Sequence, residues 1–455
     1  MSDPQIYTVG WICAITAEFV AAQAFLDEEH AGPRQTARHD NNSYVLGKAS
    51  GHNVVIATLP NGQYGTTSAA AVARDMLHSF PNVRIGLMVG IGGGAPSQKH
   101  DIRLGDVVVS TPNGGRGGVF QYDFGKTIQN CKFQDTGFLN QPPLLVLSAV
   151  TTLKGKYEMK GHRLIDEVDK NIGKIKKKSA YRQPAQASDR LYKSNIVHPS
   201  SCCDDVCGDD TASLIARPER GEEDDNPAIH YGLIASGNQL IKDAYIRDIL
   251  IKEKDVLCFE MEATGLMNHF PYLVIRGVCD YSDSYKNKEW QGFAAMMAAA
   301  YAKDLLNQIA PDTVEAEKPI LNSIQELLSD IQKGLQYLKL DKGEKLPTAR
   351  KPQFVMPFRR DSDFVNRPDI WSWVETRYAG SEICFALVGL SGFGKSQVAI
   401  QFAHQVHDAS PDTSIFWINA STKATFQDSY RSVAEALELP DRHHPGVNIL
   451  ALLRD

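Results

Sequence analysis

The chain has 455 residues, 43% of them apolar and 22% charged, with 35 glycines and 22 prolines. That length exceeds one ordinary core and predicts two to four compact units, while the composition excludes collagen, coiled coil and wholesale disorder. Lys and Arg number 48 against 54 Asp and Glu, a net charge of −6 that leaves no global basic field for nucleic acid or anionic lipid.

From Ile6 to about Ala310, short β-rich runs alternate with helical patterns, the grammar of an α/β unit. Strands are predicted over Tyr7 to Ile15, Asn53 to Leu59, Ile85 to Val89, Asp106 to Val109 and Leu273 to Val278, and helices over Ala14 to Leu26 and Thr66 to His78. The apolar stretch Gly10 to Ile15 is soon interrupted by Glu18, and the longest apolar run, Phe293 to Ala302, is well short of the ~18 to 20 residues that span a bilayer. The glycine cluster Val89-Gly-Ile-Gly-Gly-Gly94 reads either as a tight turn after the third strand or as backbone that approaches a ligand, through Gly92 and Gly93.

Between residues 150 and 230 the pattern degrades into a lysine run, a Pro/Ser/Cys-rich loop and an acidic run from Glu222 to Asp225, predicting an insertion with one helix. Within it, His198, Cys202, Cys203 and Cys207 match no common zinc spacing, so no metal site is expected. Five of the eight cysteines stand singly, as free thiols of a reducing compartment do, and a cytoplasmic protein is expected. Arg217 and Arg220 precede the apolar run Ile229 to Ala235 and read two ways, as cations for a charged substrate tail or as solvated partners of the acidic run.

Carboxylates are unusual at the ends of apolar strands. Glu18 follows the first strand, Glu260 and Glu262 flank Met261 in Cys258-Phe-Glu-Met-Glu-Ala-Thr-Gly265, and Asp280 closes Arg276-Gly-Val-Cys-Asp. Any one of these acids reads best as a cap or a surface charge. As a set at strand ends, where α/β folds keep their ligands, they predict a functional site.

An amphipathic helix is predicted from Lys318 to Leu340, followed by a polar Lys/Pro linker. The strand Ile383 to Val388 then runs into Gly389-Leu-Ser-Gly-Phe-Gly-Lys-Ser396 and an apolar helix, a P-loop in its required strand-loop-helix setting. Gly389, Gly392 and Gly394 let backbone N–H groups face a phosphate, Lys395 reaches β/γ-oxygens and Ser396 holds Mg²⁺, so ATP or ADP with Mg²⁺ is expected there. No later hydrophobic strand ends in paired acids before Asp455, so nucleotide hydrolysis at this loop is not expected. The expected organisation is a first domain over 1–310 with its insertion at about 150–230, a helical linker over 311–353 and a P-loop segment over 354–455.

Ala14-Ile-Thr-Ala-Glu18, Val89 to Ala95 with Leu104-Gly-Asp-Val-Val-Val-Ser, Leu233-Ile-Ala-Ser-Gly-Asn-Gln-Leu-Ile241, Glu260-Met-Glu262-Ala-Thr and Arg276 to Asp280 together resemble the nucleoside phosphorylase and nucleosidase family, most closely its methylthioadenosine/S-adenosylhomocysteine nucleosidase branch. The resemblance implies a three-layer α/β/α domain on a mixed, partly barrel-like sheet. It also implies roles: Glu18 orients the attacking water, Met261 and Glu262 clamp the ribose, Asp280 protonates purine N7, and Leu240 with Ile241 contacts the base. Two departures qualify it. Leu240 stands where the family stacks an aromatic ring, and Met88 and Ile91 stand where phosphorolytic relatives place an Arg and a hydroxyl for phosphate.

Phe354-Val-Met-Pro-Phe-Arg-Arg, Phe364-Val-Asn-Arg-Pro-Asp-Ile and Ile415-Phe-Trp-Ile-Asn-Ala, with the P-loop, resemble the opening of the NB-ARC-type NTPase of fungal NOD-like receptors. The two resemblances imply an N-glycosidase acting on an adenine nucleotide, ATP or dATP favoured, as the effector arm of such a receptor. No cofactor is expected for that chemistry, and a homo-oligomer is expected, with neither nucleic acid nor membrane as partner. A purine nucleoside phosphorylase and an inactive nucleoside-sensing or assembly domain are the alternatives.

Overall fold

The computed structural model describes residues 1–126, 134–135, 137, 139–197, 211–268, 270, 272–285, 288–322, 352–361, 364–365, 367–379, 387, 394–437 and 439. The chain divides into two compact units, Met1–Glu326 and Leu327–Asp455.

The first unit opens with strand β1 (Val9–Cys13), helix α1 (Thr16–Ala24), β2 (Glu28–His30), β3 (Tyr44–Ala49), β4 (His52–Thr58), α2 (Thr66–Ser79) and β5 (Ile85–Gly94). There follow β6 (Val107–Ser110), β7 (Val119–Gln121), β8 (Gly125–Lys126), β9 (Gln134–Asp135), α3 (Leu144–Lys160), α4 (Leu164–Asn171), β10 (Ile229–Ser236), α5 (Ala244–Lys254), β11 (Val256–Glu260), α6 (Thr264–Met267), β12 (Leu273–Asp280), α7 (Gln291–Leu306) and α8 (Pro311–Ala316). The main sheet runs β11-β10-β6-β12-β5-β1-β4-β3-β2, with β7 on β10. β11 also pairs antiparallel with β5, so β5, β12, β6, β10 and β11 close into a small barrel at one end of the sheet. Helices on its two faces complete a three-layer α/β/α fold, with α1 and α7 packed together and α2 against α6.

The glycine cluster is part of the strand rather than a turn after it. β5 continues to Gly94, its residues Gly90, Gly92 and Gly93 lying opposite Arg276, Val278 and Asp280 of β12 while Gly93 and Gly94 face Phe259 and Cys258 of β11. A Cβ at Gly92 would strike Cys258 Sγ, and one at Gly93 would strike Ser282 Oγ, so bare backbone is what lets two strands close on β5 there. The apolar run from Phe293 belongs to α7, which is buried on all sides, and Gly277 of β12 admits the backbone of Ala294 where any side chain would collide. No helix among the described residues is long and apolar enough to cross a membrane.

Two expected boundaries differ. Among the described residues the insertion carries two α-helices, α3 and α4, because Val146, Ala149, Val150, Leu153 and Tyr157 on the first and Leu164 and Val168 on the second form apolar stripes buried in the main core. The first unit also continues past 310, since Val314 is buried and Ile320 N–H donates to Val83 O at 2.9 Å. The residues of the linker helix beyond 322 and the cluster His198, Cys202, Cys203 and Cys207 lie outside the described residues.

In the second unit, β13 (Phe354–Val355) pairs in parallel with β14 (Ile415–Phe416), and helices α9 (Pro368–Ala379), α10 (Lys395–Ala409) and α11 (Lys423–Ala436) accompany them. Gly394, at φ +74, caps the N-terminus of α10, a left-handed conformation that favours glycine. Lys395 and Ser396 form the first turn of that helix, while Gly389 and Gly392 and the strand predicted before them, except residue 387, lie outside the described residues.

Candidate active site

The carboxyl ends of β1, β11 and β12 meet the glycine stretch of β5, and the acids singled out by the sequence meet there too. Glu18, in the first turn of α1, is buried and folds its carboxylate back on the chain. Its Oε2 accepts from the N–H groups of Ala14 and Ile15, at 2.5 and 3.1 Å, and its Oε1 accepts from Ile91 N–H of β5 at 2.8 Å. Gly90 is needed for this approach, because a Cβ there would strike both Glu18 Oε1 and Arg276 Nη1.

Arg276, which in the sequence only opens the stretch that ends at Asp280, supplies a cation here. Its side chain is fully buried, and its guanidinium pairs with Glu260, with Glu262 at 3.4 Å and with Glu18 at 3.8 Å. One cation therefore stands among three buried carboxyl groups, more acid than it can balance if all are ionised, so burial favours the protonated forms of Glu18 and Glu262. Glu260 is held by the N–H groups of Glu262, at 3.0 Å, and of Ala263. Glu262 accepts from Gly65 N–H at 3.4 Å and from Met261 N–H at 3.3 Å. Burial pushes the Glu18 carboxyl above its ordinary range, with Arg276 and three backbone N–H groups opposing the shift. Burial, reinforced by Glu260 and Glu18, likewise pushes Glu262 up to about 7 against the pull of Arg276.

Both shifts raise the folded-state value of an acid, so the folded chain holds protons that the unfolded chain has released. The stability that Glu262 contributes is fully present below about pH 4.5 and is lost as the pH rises through about 7. Urea unfolding across that window is expected to show a free energy that falls with pH, with a shallower fall in Glu262→Gln. An unchanged slope in the variant would show that Glu262 ionises as an exposed carboxyl does.

Asp280 ends β12 beside Gly93, and its Oδ1 accepts from Ser282 N–H at 2.9 Å. Glu18 bonds at Ile91 and Asp280 flanks Gly93, so the two acids attach to β5 two residues apart, roughly 7 Å at the strand rise. Met261 is half-buried between Glu260 and Glu262.

The base-contacting pair expected from the sequence is split. Ile241 is buried with Phe120, Ala235 and Phe259, whereas Leu240 is 55% exposed. Tyr122 is an aromatic side chain at this end of the barrel. Its ring meets Phe259 edge-on at 6.0 Å, and its phenol is pushed up by burial and then by the charges of Asp123, Glu260 and Glu262. The sequence signal for it is slight, a ring just past the short strand β7.

Arg217 and Arg220 are not the free cations that one reading of the sequence allowed, nor do they pair with the acidic run Glu222 to Asp225. Arg220 grips Asp106 with both terminal nitrogens, and Asp106, fully buried, also accepts from His230 at 2.9 Å and from the N–H groups of Arg103 and Ala228 at 2.8 Å. Arg217 pairs with Asp189 at 3.0 Å and donates to the Tyr281 hydroxyl at 2.9 Å. Their charges are neutralised within the protein, which removes the physical reason for assigning them a substrate phosphate.

No family model matches the chain. Among solved structures, the fold is similar to the 5′-methylthioadenosine/S-adenosylhomocysteine nucleosidase of Helicobacter pylori, at 13% identity and a TM-score of 0.43 over 67% of this chain and 100% of that one. It is also similar to the nucleosidase of the same name from Neisseria meningitidis, at 15% identity and a TM-score of 0.43 over 66% and 99% of the two chains. The futalosine hydrolase of Helicobacter pylori follows at 12% identity and a TM-score of 0.41 over 67% and 99%.

A relative by sequence is a nucleotide-binding leucine-rich repeat (NLR)-like protein of Hyaloscypha variabilis, 36% identical over 456 aligned residues. The alignment takes in 99% of this chain and 42% of that protein, so the chain spans about two fifths of its relative's length.

Proposed function

We propose that the first unit is a nucleosidase that hydrolyses the bond between a purine base and ribose. The observation that supports this most is the buried Arg276 among Glu18, Glu260 and Glu262, with Asp280 at the end of the same strand. Breaking an N-glycosidic bond builds positive charge on the sugar and negative charge on the base. A carboxylate beneath the ribose and an acid beside the base lower that barrier.

In this reading a water oxygen bonds to the anomeric carbon as the glycosidic electron pair leaves with the purine. Asp280 supplies a proton to the departing base, and Glu18 takes one from the water. A carboxyl raised above its ordinary range is the better proton acceptor near neutral pH. Arg276 Nη1, buried and without a hydrogen-bond partner among the described residues, stands 3.8 Å from Glu18 Oε1. That spacing suits a water that accepts from the guanidinium and donates to the carboxylate. Glu262 and the Met261 backbone hold the ribose hydroxyls.

Water rather than phosphate is the proposed nucleophile, because Met88 is buried and Ile91 supplies only its side-chain carbons and a backbone N–H already spent on Glu18. Free ribosyl product is expected in buffer without phosphate, with ATP, dATP, adenosine and methylthioadenosine compared as substrates by mass. Ribose 1-phosphate, formed at a rate set by added phosphate, would assign the domain to the phosphorylases. An adenine nucleotide, ATP or dATP, remains the favoured substrate for an effector coupled to a nucleotide switch. With Arg217 and Arg220 neutralised, the substrate comparison decides its 5′ group.

The second unit is proposed as the start of an NB-ARC-type switch that binds ATP or ADP with Mg²⁺. Gly394 and the first turn of α10 fit that role, with Lys395 for phosphate oxygens and Ser396 for the metal. Nucleotide binding would bias assembly of the longer receptor, bringing several first units together. Lys395→Ala is expected to weaken ATP binding by about tenfold or more, the scale of one charge-assisted phosphate contact. Titration with a fluorescent ATP analogue checks it, and an unchanged affinity would place the nucleotide elsewhere.

A further inference from the structure

The insertion between β9 and β10 converges on the turn that follows Asp280. The Tyr281 phenol donates to Asp189 Oδ1 and accepts from Arg217 Nη1 at 2.9 Å. Arg217 Nη2 lies 3.0 Å from Asp189 Oδ2, which closes a ring of three side chains, with the guanidinium 5.3 Å from the centre of the Tyr281 ring. All of it is sheltered, Tyr281 and the Asp189 side chain each being 2% exposed. Arg217 also donates to Ile102 O at 3.2 Å, tying the ring to the segment that follows β5. From the other side, Arg247 of α5 donates to Tyr281 O at 2.9 Å.

The turn so held is an uncommon one. Ser282 sits at φ +53, a left-handed conformation that L-residues rarely adopt, and in it the Ser282 N–H reaches Asp280 Oδ1. Such backbone persists only where its surroundings over-determine it. A buried ion pair adds little net stability over apolar side chains of the same volume, so the Asp189–Arg217 pair is better explained by the geometry it imposes.

We propose that Asp189 and Arg217 are positioning residues which, acting through the Tyr281 hydroxyl, hold the 280–282 turn so that the Asp280 carboxyl faces the glycine wall of β5. The insertion is then a working part of the site, although neither residue touches the reacting atoms. This rests on the nucleosidase reading only for its effect on turnover.

The test uses the 455-residue chain with Tyr281→Phe, Asp189→Asn, Arg217→Met and Arg217→Lys. Order in the turn is read without any substrate from Cys279, a buried thiol next to Asp280. Alkylation by iodoacetamide is followed peptide by peptide by mass, with buried Cys13 and Cys258 as internal references. Tyr281→Phe and Arg217→Met are expected to speed Cys279 labelling by about tenfold, one decade of local opening, and to leave the two references unchanged. Arg217→Lys should restore part of the protection.

In turnover, the same variants should lower kcat by about 10- to 100-fold with little change in KM, the scale of a misplaced catalytic group. Added to Asp280→Asn, Tyr281→Phe should cost nothing further. Cys279 labelling at the wild-type rate in Tyr281→Phe would overturn the proposal whatever the kinetics show, as would an equal loss of kcat with and without Asp280→Asn. Should Arg217→Met fail to fold, Tyr281→Phe, which removes one oxygen, carries the test alone. Wild-type protein that releases no base, with labelling as expected, would instead refute the nucleosidase reading and leave the brace standing.

Discussion

Asp280→Asn is expected to slow base release by at least about 10²-fold, the scale of a lost general acid. The substitution is conservative in shape. An amide oxygen can still accept from Ser282 N–H at the position where Asp280 Oδ1 now does, so the turn has no reason to open. An amide has no acidic proton for the departing purine, and the base must leave as an anion. Glu18→Gln should cause a comparable loss by a different route, since a neutral amide cannot take a proton from water and its NH2 group would face backbone N–H donors where a carboxylate oxygen now accepts. Chromatographic detection of free adenine, with circular dichroism to verify folding, checks both. Wild-type turnover in either variant would remove that residue from the chemistry.

Arg276→Met should have the largest effect on stability. It leaves Glu18, Glu260 and Glu262 facing one another in a buried site with no cation, and breaking a buried pair in this way costs about 3–5 kcal/mol. Domains of this size are stable by only about 5–15 kcal/mol, so much of the margin disappears. Carboxylates can escape repulsion by taking up protons, so the loss should be greater at pH 8 than at pH 5. Arg276→Lys is expected to rescue little, because a single ammonium cannot fork toward three carboxylates. Urea denaturation at the two pH values measures this, and a variant as stable as wild type at pH 8 would mean that the three acids do not share one charged site.

Glu18, Glu262 and Asp280 are legible in the sequence because each breaks an apolar pattern at the point where a strand ends. Arg276 is not, since within the run Leu273 to Val278 it reads as one polar interruption, and its meaning lies in acids contributed by α1 and by the segment around the end of β11. The course of β5 is hidden for a related reason. Five glycines in ten residues suggest a turn, and only the pairing of β11 and β12 on its two edges makes that stretch a strand. Arg217 and Arg220 mislead through proximity. The acidic run lies next to them in sequence, yet their partners are Asp189 and Asp106, the latter 114 residues away.

The segment 311–320 bears on where the first unit can be cut. Val314 is buried, its carbonyl accepts from Arg84 Nη1 at 3.4 Å, and the Ile320 N–H reaches back to Val83 just before β5 begins. β5 is the strand to which both Glu18 and Asp280 are referred, so this short tail anchors the amino end of the element that sets their separation. A recombinant fragment ending at residue 310 would free that end and lay bare the apolar surface beneath Val314, whereas one continuing through residue 322 keeps the clasp and, with it, the spacing of the two acids.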